Sequence, residues 1–438
     1  MKQSILSKDG VSYVVPFILI TSCFALWGFA NDITNPMVKA FSKIFRMSAT
    51  DGALVQVAFY GGYFAMAFPA AMFIRRYSYK AGVLVGLGLY ALGAFMFYPA
   101  KMTGEYYPFL IAYFILTCGL SFLETSSNPY ILSMGTEETA TRRLNLAQSF
   151  NPMGSLLGMY VAMNFIQAKF NPLDTASRAD LTPAEFEAVK EYDLSVLIGP
   201  YLVIGLVILA MFMLILFWRM PKNGDKNHNI DFVPTLRRIF AMPHYREGVI
   251  AQFFYVGVQI MCWTFIIQYG TRVLMADGMA EQAAEVTSQQ YNILAMIIFC
   301  CSRFICTFLL RYINTGRLLM VLAIVGGLLV VGVIGLQNIY GLYCLVGVSA
   351  CMSLMFPTIY GIALTGLGDD AKFGAAGLIM AILGGSVLPP FQAAIIDQVE
   401  LLGMPAVNVS FILPFVCFVV IAIYGHRTFL RSKGQLGG

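Results

Sequence analysis

Two carboxylates of this sequence lie inside long apolar stretches, where a charged side chain requires a reason. Asp32 belongs to LWGFANDITNPM and Glu124 to LSFLETSSNPYIL, and each is followed by an Asn-Pro pair. A charge at the centre of a membrane helix costs ~2.5–3.5 kcal/mol on insertion scales, so such residues usually face a cavity or the interior of a helix bundle. No histidine lies deep inside an apolar stretch, since two of the three lie outside the predicted spans and His426 lies near the end of the last one. If protons are handled inside a membrane, Asp32 and Glu124 are the candidates for proton coupling.

Amide and indole side chains accompany these acids at regular spacing. In RLNLAQSFN, Asn145, Gln148 and Asn151 recur every three residues, so they share one broad face of a helix. Gln259 and Trp263 are four residues apart and share a face in the same way. Amides and carboxylates bind hydroxyl groups, and an indole stacks on the apolar face of a sugar ring, so the set suits a sugar. The candidate sugar-binding residues are Trp27, Asn31, Asn35, Glu124, Gln148, Asn151, Gln259 and Trp263.

Structural explanations compete with each of these interpretations. The amides could hold neighbouring helices together by hydrogen bonds, and Trp263 could equally pack against lipid or the protein core. Either acid could be locked to a base or to backbone. The candidate base inside an apolar stretch is Arg303. Its guanidinium could instead extend to the cytoplasmic membrane surface and anchor the helix there. The Asn-Pro pairs could be simple kinks, although a bend beside a buried carboxylate also frees backbone carbonyls to face a cavity.

The elements that must position these residues are membrane helices. The chain of 438 residues is 58% hydrophobic and 12% charged, whereas soluble domains carry ~25% charged residues. Apolar stretches of ~20 residues, the length that crosses a bilayer, recur along the whole chain. They predict an all-α integral membrane protein. The twelve predicted spans are residues 13–38, 51–75, 80–100, 107–133, 142–168, 194–219, 247–274, 288–311, 317–337, 339–365, 372–397 and 406–430.

The distribution of basic residues predicts the orientation of these spans. With a cytoplasmic N-terminus, the loops on that side hold more than twice as many Lys and Arg residues as the opposite loops. This agrees with the positive-inside rule, so both termini are predicted to be cytoplasmic. The net charge of +5 then requires no nucleic-acid partner. The nine cysteines lie inside spans without CxxC spacing, so neither a metal site nor a disulfide framework is predicted.

A polar stretch divides the chain into two halves of six spans. Span 4 carries Asn128-Pro129 and span 10 carries Phe356-Pro357, each followed by a short loop and a glycine-punctuated helix. Two related six-helix bundles around a central cavity are a known plan for transporters. The predicted domains are an N-terminal bundle of residues 1–219, a cytoplasmic linker of residues 220–246 and a C-terminal bundle of residues 247–438.

Five longer stretches form a set that extends over nearly the whole chain. They are FYGGYFAMAFPAAMFIRRYSYKAG (59–82), LETSSNPY (123–130), RLNLAQSFN (143–151), AQFFYVGVQIMCW (251–263) and LGDDAKFGAAGLIM (367–380). Together they resemble the major facilitator superfamily and, within it, the bacterial L-fucose:proton symporters. The resemblance implies two pseudo-symmetric six-helix bundles that import L-fucose or a related hexose with a proton. It also implies a monomer without a cofactor, in the bacterial inner membrane.

The resemblance further implies roles for individual residues. Glu124 matches the family's buried glutamate, which acts in sugar binding and in proton coupling. Gln148 and Asn151 match amides that line the family's cavity, and Trp27 matches a tryptophan of that cavity. These residues are therefore expected to contact the sugar.

Two positions depart from the family's pattern. The pattern has its span 1 aspartate where this chain has Asn35, and an asparagine where this chain has Asp32. Because the two positions lie within one helical turn and roughly on one face, we interpret the change as a swapped carboxylate–amide pair. The second departure is Phe356, where a tyrosine lines the family's cavity. These departures leave the sugar open, with glucose, galactose and an amino sugar as alternatives to L-fucose.

Two other functional classes compete with a sugar symporter. A drug/proton antiporter would need a more apolar cavity than the amides of span 5 indicate. An intramembrane aspartyl protease is suggested by Gly366-Leu367-Gly368-Asp369, which fits GxGD, and by Tyr192-Asp193, which fits the partner motif. The predicted topology places these aspartates at opposite edges of a hydrocarbon core ~30 Å thick, where no dyad could form. An enzyme is therefore not predicted, and the expected partners are a small sugar, a proton and the lipid bilayer.

Overall fold

Almost all of the chain that the structure describes is helical. The computed structural model describes residues 7–8, 11–34, 37–47, 54–171, 173, 178, 180–221, 232–398, 400–401 and 403–434. Two short antiparallel strand pairs occur in these ranges. Strand β1 (Ser7–Lys8) pairs with β2 (Val11–Ser12), in the register Ser7 to Ser12, and β3 (Glu400–Leu401) pairs with β4 (Met404–Pro405), in the register Glu400 to Pro405.

The α-helices follow one another with short connections. In chain order they are α1 (Val14–Thr34), α2 (Met37–Ile44), α3 (Leu54–Arg76), α4 (Tyr79–Thr103), α5 (Tyr107–Ser133), α6 (Ala140–Gln148), α7 (Asn151–Val161), α8 (Pro183–Phe217), α9 (Phe232–Ala241), α10 (Pro243–Ala276), α11 (Glu281–Leu309), α12 (Thr315–Gly335), α13 (Ile339–Met352), α14 (Met355–Leu364), α15 (Ala371–Met380), α16 (Gly384–Ile396), α17 (Ala406–Ser410) and α18 (Ile412–Ser432).

Short turns of other helical types extend or link several of these helices. A π-helical turn and three-residue 3₁₀ turns occur in the described residues. They are the π turn Ala162–Ile166 and the 3₁₀ turns Glu137–Thr139, Gln167–Lys169, Gly368–Asp370 and Ala381–Leu383.

Eleven of the helical segments within the described residues are long and apolar enough to cross a membrane. They overlap eleven of the twelve predicted spans, so the all-α membrane class is confirmed. The fifth predicted span, residues 142–168, is instead divided into α6, α7 and the π and 3₁₀ turns that follow α7. The break precedes Asn151-Pro152. A proline fits the first turn of a helix, where its missing N–H has no intrahelical partner, so α7 begins there.

The sixth predicted span also differs at its start. The predicted span begins at residue 194, but the structure has one helix, α8, from Pro183 to Phe217. The Thr182 side chain accepts from the Glu185 backbone N–H, and the Glu185 carboxylate accepts from the Thr182 backbone N–H. This capping box starts the helix early, and no breaker intervenes before the apolar span.

The described part of the chain divides into two compact units. The first unit comprises residues 1–134 and 150–230, and the second unit comprises residues 135–149 and 231–438. Helix α6 therefore groups with the second unit, whereas α7 groups with the first. Residues 222–231 of the predicted linker 220–246 lie outside the described residues, and α9 follows directly. The division at 219 and 247 remains a prediction.

The core of the first unit is formed where α4, α5 and α8 meet. A Cβ added at Gly93 of α4 would lie 2.5 Å from the Leu116 backbone nitrogen, so the glycine permits a close approach of the two helices. The Phe97 and Tyr201 rings stack with centroids 4.1 Å apart, and the hydroxyls of Tyr113 and Tyr201 are 2.6 Å apart. This packing fixes α5 against its neighbours.

The C-terminal end of α8 is tied to the start of α4. The Lys80 ammonium donates to the carbonyl oxygens of Leu216, at 2.9 Å, and of Trp218, at 3.0 Å. The last carbonyls of a helix have no intrahelical partner, so a lysine at this place satisfies them.

The core of the second unit surrounds α10, α12, α13 and α18. Buried side chains from Ala251 to Val273 of α10 form its centre. The Tyr269 hydroxyl donates to the carbonyls of Val333 (3.0 Å) and Leu336 (2.8 Å) at the end of α12. A Cβ at Gly425 of α18 would lie 2.7 Å from a backbone nitrogen of α12, so these helices are also in close contact.

Candidate functional site

Glu124 lies in the most deeply buried part of α5. Its side chain is 5% exposed, and residues 116–131 around it are all buried. The hydroxyl of Tyr63 on α3 donates to Glu124 Oε1 at 2.9 Å. Ser121 donates to the Tyr63 backbone carbonyl at 3.1 Å, which fixes α3 against α5. A tyrosine therefore holds the carboxylate in place.

The Asn-Pro pair that follows Glu124 sits inside a continuous helix. Pro129 is an interior residue of α5 and cannot donate to the carbonyl one turn before it. The Asn128 side chain donates to the Glu124 backbone carbonyl at 3.0 Å. The hydroxyls of Thr125 and Ser127 are buried and have no hydrogen-bond partner within the part of the chain that the structure describes. Since buried polar groups normally find partners, the region around Glu124 has spare hydrogen-bonding capacity.

Asp32 is the other candidate carboxylate of the first unit, and it also lies in a membrane helix. It is half-buried near the end of α1. Tyr60, three residues before Tyr63 on α3, lies close enough to Asp32 for an electrostatic interaction between them. Residues three apart lie on the same side of a helix. Helix α3 therefore presents one tyrosine to each candidate carboxylate.

Other candidates on α1 differ in their surroundings. Trp27 is 4% exposed, and its ring centroid lies 4.1 Å from that of Phe24. Asn31 is half-buried, and its Oδ1 is buried without a hydrogen-bond partner among the described residues. Asn35 lies outside the described residues. Asn31 thus offers an acceptor next to Asp32.

Asn151 is used to join two helices. Its Nδ2 donates to the Phe24 carbonyl of α1 at 3.2 Å, and Ser155 on α7 donates to the Gly28 carbonyl at 3.3 Å. A Cβ added at Gly28 would collide with the Asn151 carbonyl, so α1 and α7 are pressed together. The Asn151 amide therefore donates a hydrogen bond between α1 and α7. This is the structural role that was the alternative to sugar binding.

In the second unit, Arg303 is buried rather than directed to the membrane surface. Its side chain is 3% exposed, so the anchor interpretation is wrong. Nε donates to the Ser353 carbonyl at 2.5 Å, Nη1 donates to the Gln148 carbonyl at 2.9 Å, and the guanidinium lies 4.6 Å from the centroid of the Phe299 ring. The candidate Gln148 is itself buried at the end of α6. Arg303 thus joins α6 to the rest of its unit.

Gln259 and Trp263 lie on α10 and are both half-buried. The Trp263 indole donates to the Ser349 hydroxyl at 3.2 Å, and its ring meets Phe299 edge-on with centroids 5.0 Å apart. Gln259 has no hydrogen-bond partner in the described ranges. Trp263 is therefore engaged within its unit.

The structure thus brings the candidates together in two groups and adds residues that sequence reasoning missed. Within the first unit, Tyr60 and Tyr63 link the surroundings of Asp32 and Glu124 along one helix face. The signal for these tyrosines was their three-residue spacing around two glycines in FYGGYF. The remaining candidates of the first unit are Trp27, Asn31 and Asn151, and those of the second unit are Gln148, Gln259 and Trp263.

One of the aspartates that suggested a protease has a structural explanation. Asp193 of the Tyr192-Asp193 pair is fully buried and forms an ion pair with Arg178, with Oδ2 and Nη2 2.6 Å apart. Its Oδ1 accepts from the Asn171 backbone N–H at 2.8 Å. The carboxylate therefore connects Asn171 and Arg178 to α8. Among the described residues, no group of three or more His, Cys, Asp or Glu residues is placed to hold a metal ion.

Comparisons with known proteins agree with this architecture. The model of the Major Facilitator Superfamily matches residues 20–390. The chain is 51% identical over 441 residues to an L-fucose-proton symporter of Haemophilus influenzae, covering 99% of this chain and 100% of that protein. It is 30% identical over 408 residues to a glucose/galactose transporter of Brucella abortus, covering 93% and 92%. The crystal structure of the Escherichia coli fucose:proton symporter matches with a TM-score of 0.86 at 31% identity, covering 95% of this chain and 99% of that chain.

Proposed function

The chain belongs to the major facilitator superfamily, a family of multi-pass membrane transporters rather than enzymes, and on this premise we propose that it imports L-fucose, or a related hexose, together with a proton. The observation that carries this proposal is the 51% identity over 441 residues to an L-fucose-proton symporter. We place the protein in the bacterial inner membrane as a monomer, with both termini in the cytoplasm.

The geometry around Glu124 supports proton coupling. Burying a charged carboxylate is costly, and protonation removes most of that cost. A tyrosine hydroxyl can donate to a carboxylate and can also accept from a carboxylic acid. The Tyr63–Glu124 contact can therefore be kept in both protonation states. Proton binding then changes the charge of the site without leaving a polar group unpaired.

Transport follows from this change of charge. In the proposed cycle, a sugar and a proton bind on one side of the membrane, and the neutral, loaded carrier changes conformation and releases both on the other side. One charge that moves through 100 mV yields ~2.3 kcal/mol, which is enough to concentrate the sugar severalfold or more. We assign Glu124 to both proton transfer and sugar binding, and Asp32 to proton coupling.

Two of the sugar contacts that we propose use polar groups with spare capacity. Gln259 is half-buried without a partner among the described residues, and Asn31 has a buried free acceptor. Trp27, Asn35, Gln148, Asn151 and Trp263 complete the proposed set. An aromatic ring and several amides are a chemically suitable environment for a hexose, since each hydroxyl both donates and accepts.

A glucose or galactose symporter is the second candidate. The observation that favours it is the 30% identity, over 93% of this chain, to the Brucella abortus glucose/galactose transporter. The swapped pair at Asp32 and Asn35 also leaves the sugar open.

Uptake into proteoliposomes tests the proposal directly. Purified protein would be reconstituted, and radiolabelled L-fucose uptake measured with and without an imposed inward proton gradient. We expect the gradient to drive accumulation, and unlabelled L-fucose to compete better than glucose, galactose or glucosamine. Stronger competition by glucose or galactose would establish the second candidate. Uptake that is the same with and without the proton gradient would refute symport with protons.

A further inference from the structure

A groove of about 800 Å³ opens on the first unit, and its lining includes none of the candidate site residues. It is lined by residues of α1, α7 and α8 and by the turns that follow α7. Its volume lies within the ~300–1,000 Å³ that is typical of small-molecule sites. The groove is thus large enough for a ligand of its own.

The shape and lining of the groove fit a hydrocarbon chain. Along α8 it extends from Ser195 to Val207, which at ~1.5 Å per residue is ~18 Å. This is about one leaflet of a hydrocarbon core ~30 Å thick. Apart from Ser195 and Lys169, the lining consists of apolar residues and glycines. A single acyl chain would therefore contact apolar surface along its whole length.

Glycine at position 199 keeps the groove open. A Cβ added at Gly199 would meet no atom within 4 Å, so no neighbouring helix requires a glycine there. Glycine inside a helix is destabilising relative to alanine. The missing side chain instead leaves space in the groove wall, beside Pro200.

The ammonium group of Lys169 places a positive charge at one end of this apolar groove. Lys169 lines the groove, is exposed, and lies 5.3 Å from the centroid of the Phe165 ring. No carboxylate of the described residues forms an ion pair with it. The π turn Ala162–Ile166, a wide turn that is often found at functional sites, carries Phe165 into the lining and leads directly to Lys169.

We propose that the groove is a binding site for an anionic phospholipid, with one acyl chain along α8 and the phosphate at Lys169. Lysines near a membrane surface attract anionic lipids, and the apolar groove gives the chain a fixed place. Because lipid tails are as apolar as the groove, the selectivity must come from the charge at Lys169 and from the fit at Gly199. The proposal is independent of the transported sugar.

Retention of lipid through purification tests this site. The full chain would be reconstituted in nanodiscs of phosphatidylcholine with a minor fraction of phosphatidylglycerol, then extracted in mild detergent. Native mass spectrometry would count bound phosphatidylglycerol per protein. The variants are Lys169→Gln, which removes the charge, and Gly199→Phe, which fills the groove. Their controls are Lys101→Gln and Gly335→Phe, since a Cβ at Gly335 also meets nothing within 4 Å.

We expect the wild type to retain phosphatidylglycerol in preference to phosphatidylcholine. Lys169→Gln should reduce this retention about fivefold, the effect of one lysine near an anionic surface. Gly199→Phe should abolish it, and both controls should behave as wild type. Equal retention in wild type and Lys169→Gln would overturn the proposal, because the charge would then play no part. A wild-type dimer that Gly199→Phe dissociates would also overturn it, because the groove would then hold a second copy of the chain.

Discussion

Glu124 in the first unit and Arg303 in the second are both almost inaccessible to solvent, yet they are held in different ways. Glu124 has a tyrosine hydroxyl on its carboxylate at 2.9 Å. Arg303 donates to two backbone carbonyls and lies against an aromatic ring. A tyrosine hydroxyl can reverse its role when its partner gains a proton, whereas a carbonyl can only accept.

This difference indicates a division of labour between the two units. A guanidinium stays protonated in proteins, so Arg303 carries a permanent charge that its carbonyl partners satisfy. A carboxylate changes charge, and the partner of Glu124 suits either state. Of these two residues, the one whose charge is reversible lies in the first unit and the one whose charge is permanent lies in the second. Each of the following predictions is a way to break or sharpen this contrast.

The largest effect is expected at Glu124. Glu124→Gln mimics the protonated form, so it should reduce proton-driven accumulation of L-fucose to background and flatten the pH dependence of sugar binding. Glu124→Ala should in addition weaken sugar binding by ~1–3 kcal/mol, because the acceptor is lost. Sugar affinity against pH, measured for wild type and both variants, checks this. Glu105→Gln, at an exposed carboxylate, is the control. Unchanged affinity and pH dependence in both variants would leave Glu124 as a structural acid.

The next effect is expected at Asp32. Asp32→Asn should abolish accumulation against a gradient but retain part of the exchange of sugar between the two sides. Exchange needs no net proton movement, so it separates coupling from binding. Counterflow in proteoliposomes measures exchange, and uptake under a proton gradient measures accumulation. A variant that still concentrates sugar would show that Glu124 alone carries the proton.

At Arg303 we expect a loss of stability rather than a loss of proton coupling. Arg303→Met removes the hydrogen bonds that Arg303 donates to the Ser353 and Gln148 carbonyls, at ~0.5–1.5 kcal/mol for each. The melting temperature should therefore fall, while the pH dependence of uptake per folded molecule stays as in wild type. Arg303→Lys should lower the melting temperature less than Arg303→Met. A changed pH dependence at normal stability would mean that the second unit takes part in proton handling.

The smallest effect is expected at Tyr63. Tyr63→Phe removes one hydrogen bond and should lower the free energy of unfolding by ~0.5–1.5 kcal/mol and slow uptake without abolishing it. Combined with Glu124→Gln, the substitution should cost less than it does alone, because the two residues interact directly. Tyr98→Phe, at an exposed tyrosine, is the control. Equal costs in both backgrounds would show that the Tyr63 hydroxyl does not serve Glu124.

The sequence predicts those features that depend on local pattern. Eleven spans follow from hydropathy alone, and the burial of Glu124 follows from its place in an apolar stretch. The Asn-Pro pairs were interpreted as possible bends, and a helix break lies directly before Asn151-Pro152. The pattern did not locate the break, because a proline in an apolar stretch is also compatible with a continuous helix, as Pro129 of α5 shows.

What the sequence did not reveal depends on partners that are distant along the chain. Tyr63 lies 61 residues from Glu124, and Ser349 lies 86 residues from Trp263. A tyrosine in an apolar helix gives no local sign of its partner, so Tyr60 and Tyr63 were missed. The Asn151 amide donates to the Phe24 carbonyl, a contact that has no local sign in the sequence because the close approach of α1 and α7 is a tertiary property.

The bonds from Lys80 to the end of α8 bear on how the first unit is assembled during synthesis. Lys80 and Trp218 are 138 residues apart, so α4 enters the membrane well before its partner has left the ribosome. At ~5–20 residues per second, the wait is roughly seven to thirty seconds. During that interval the ammonium of Lys80 has only water and lipid headgroups to bind, and the faces of α4 and α5 that later meet α8 stay in contact with lipid. The first unit is therefore completed by the arrival of its last helix.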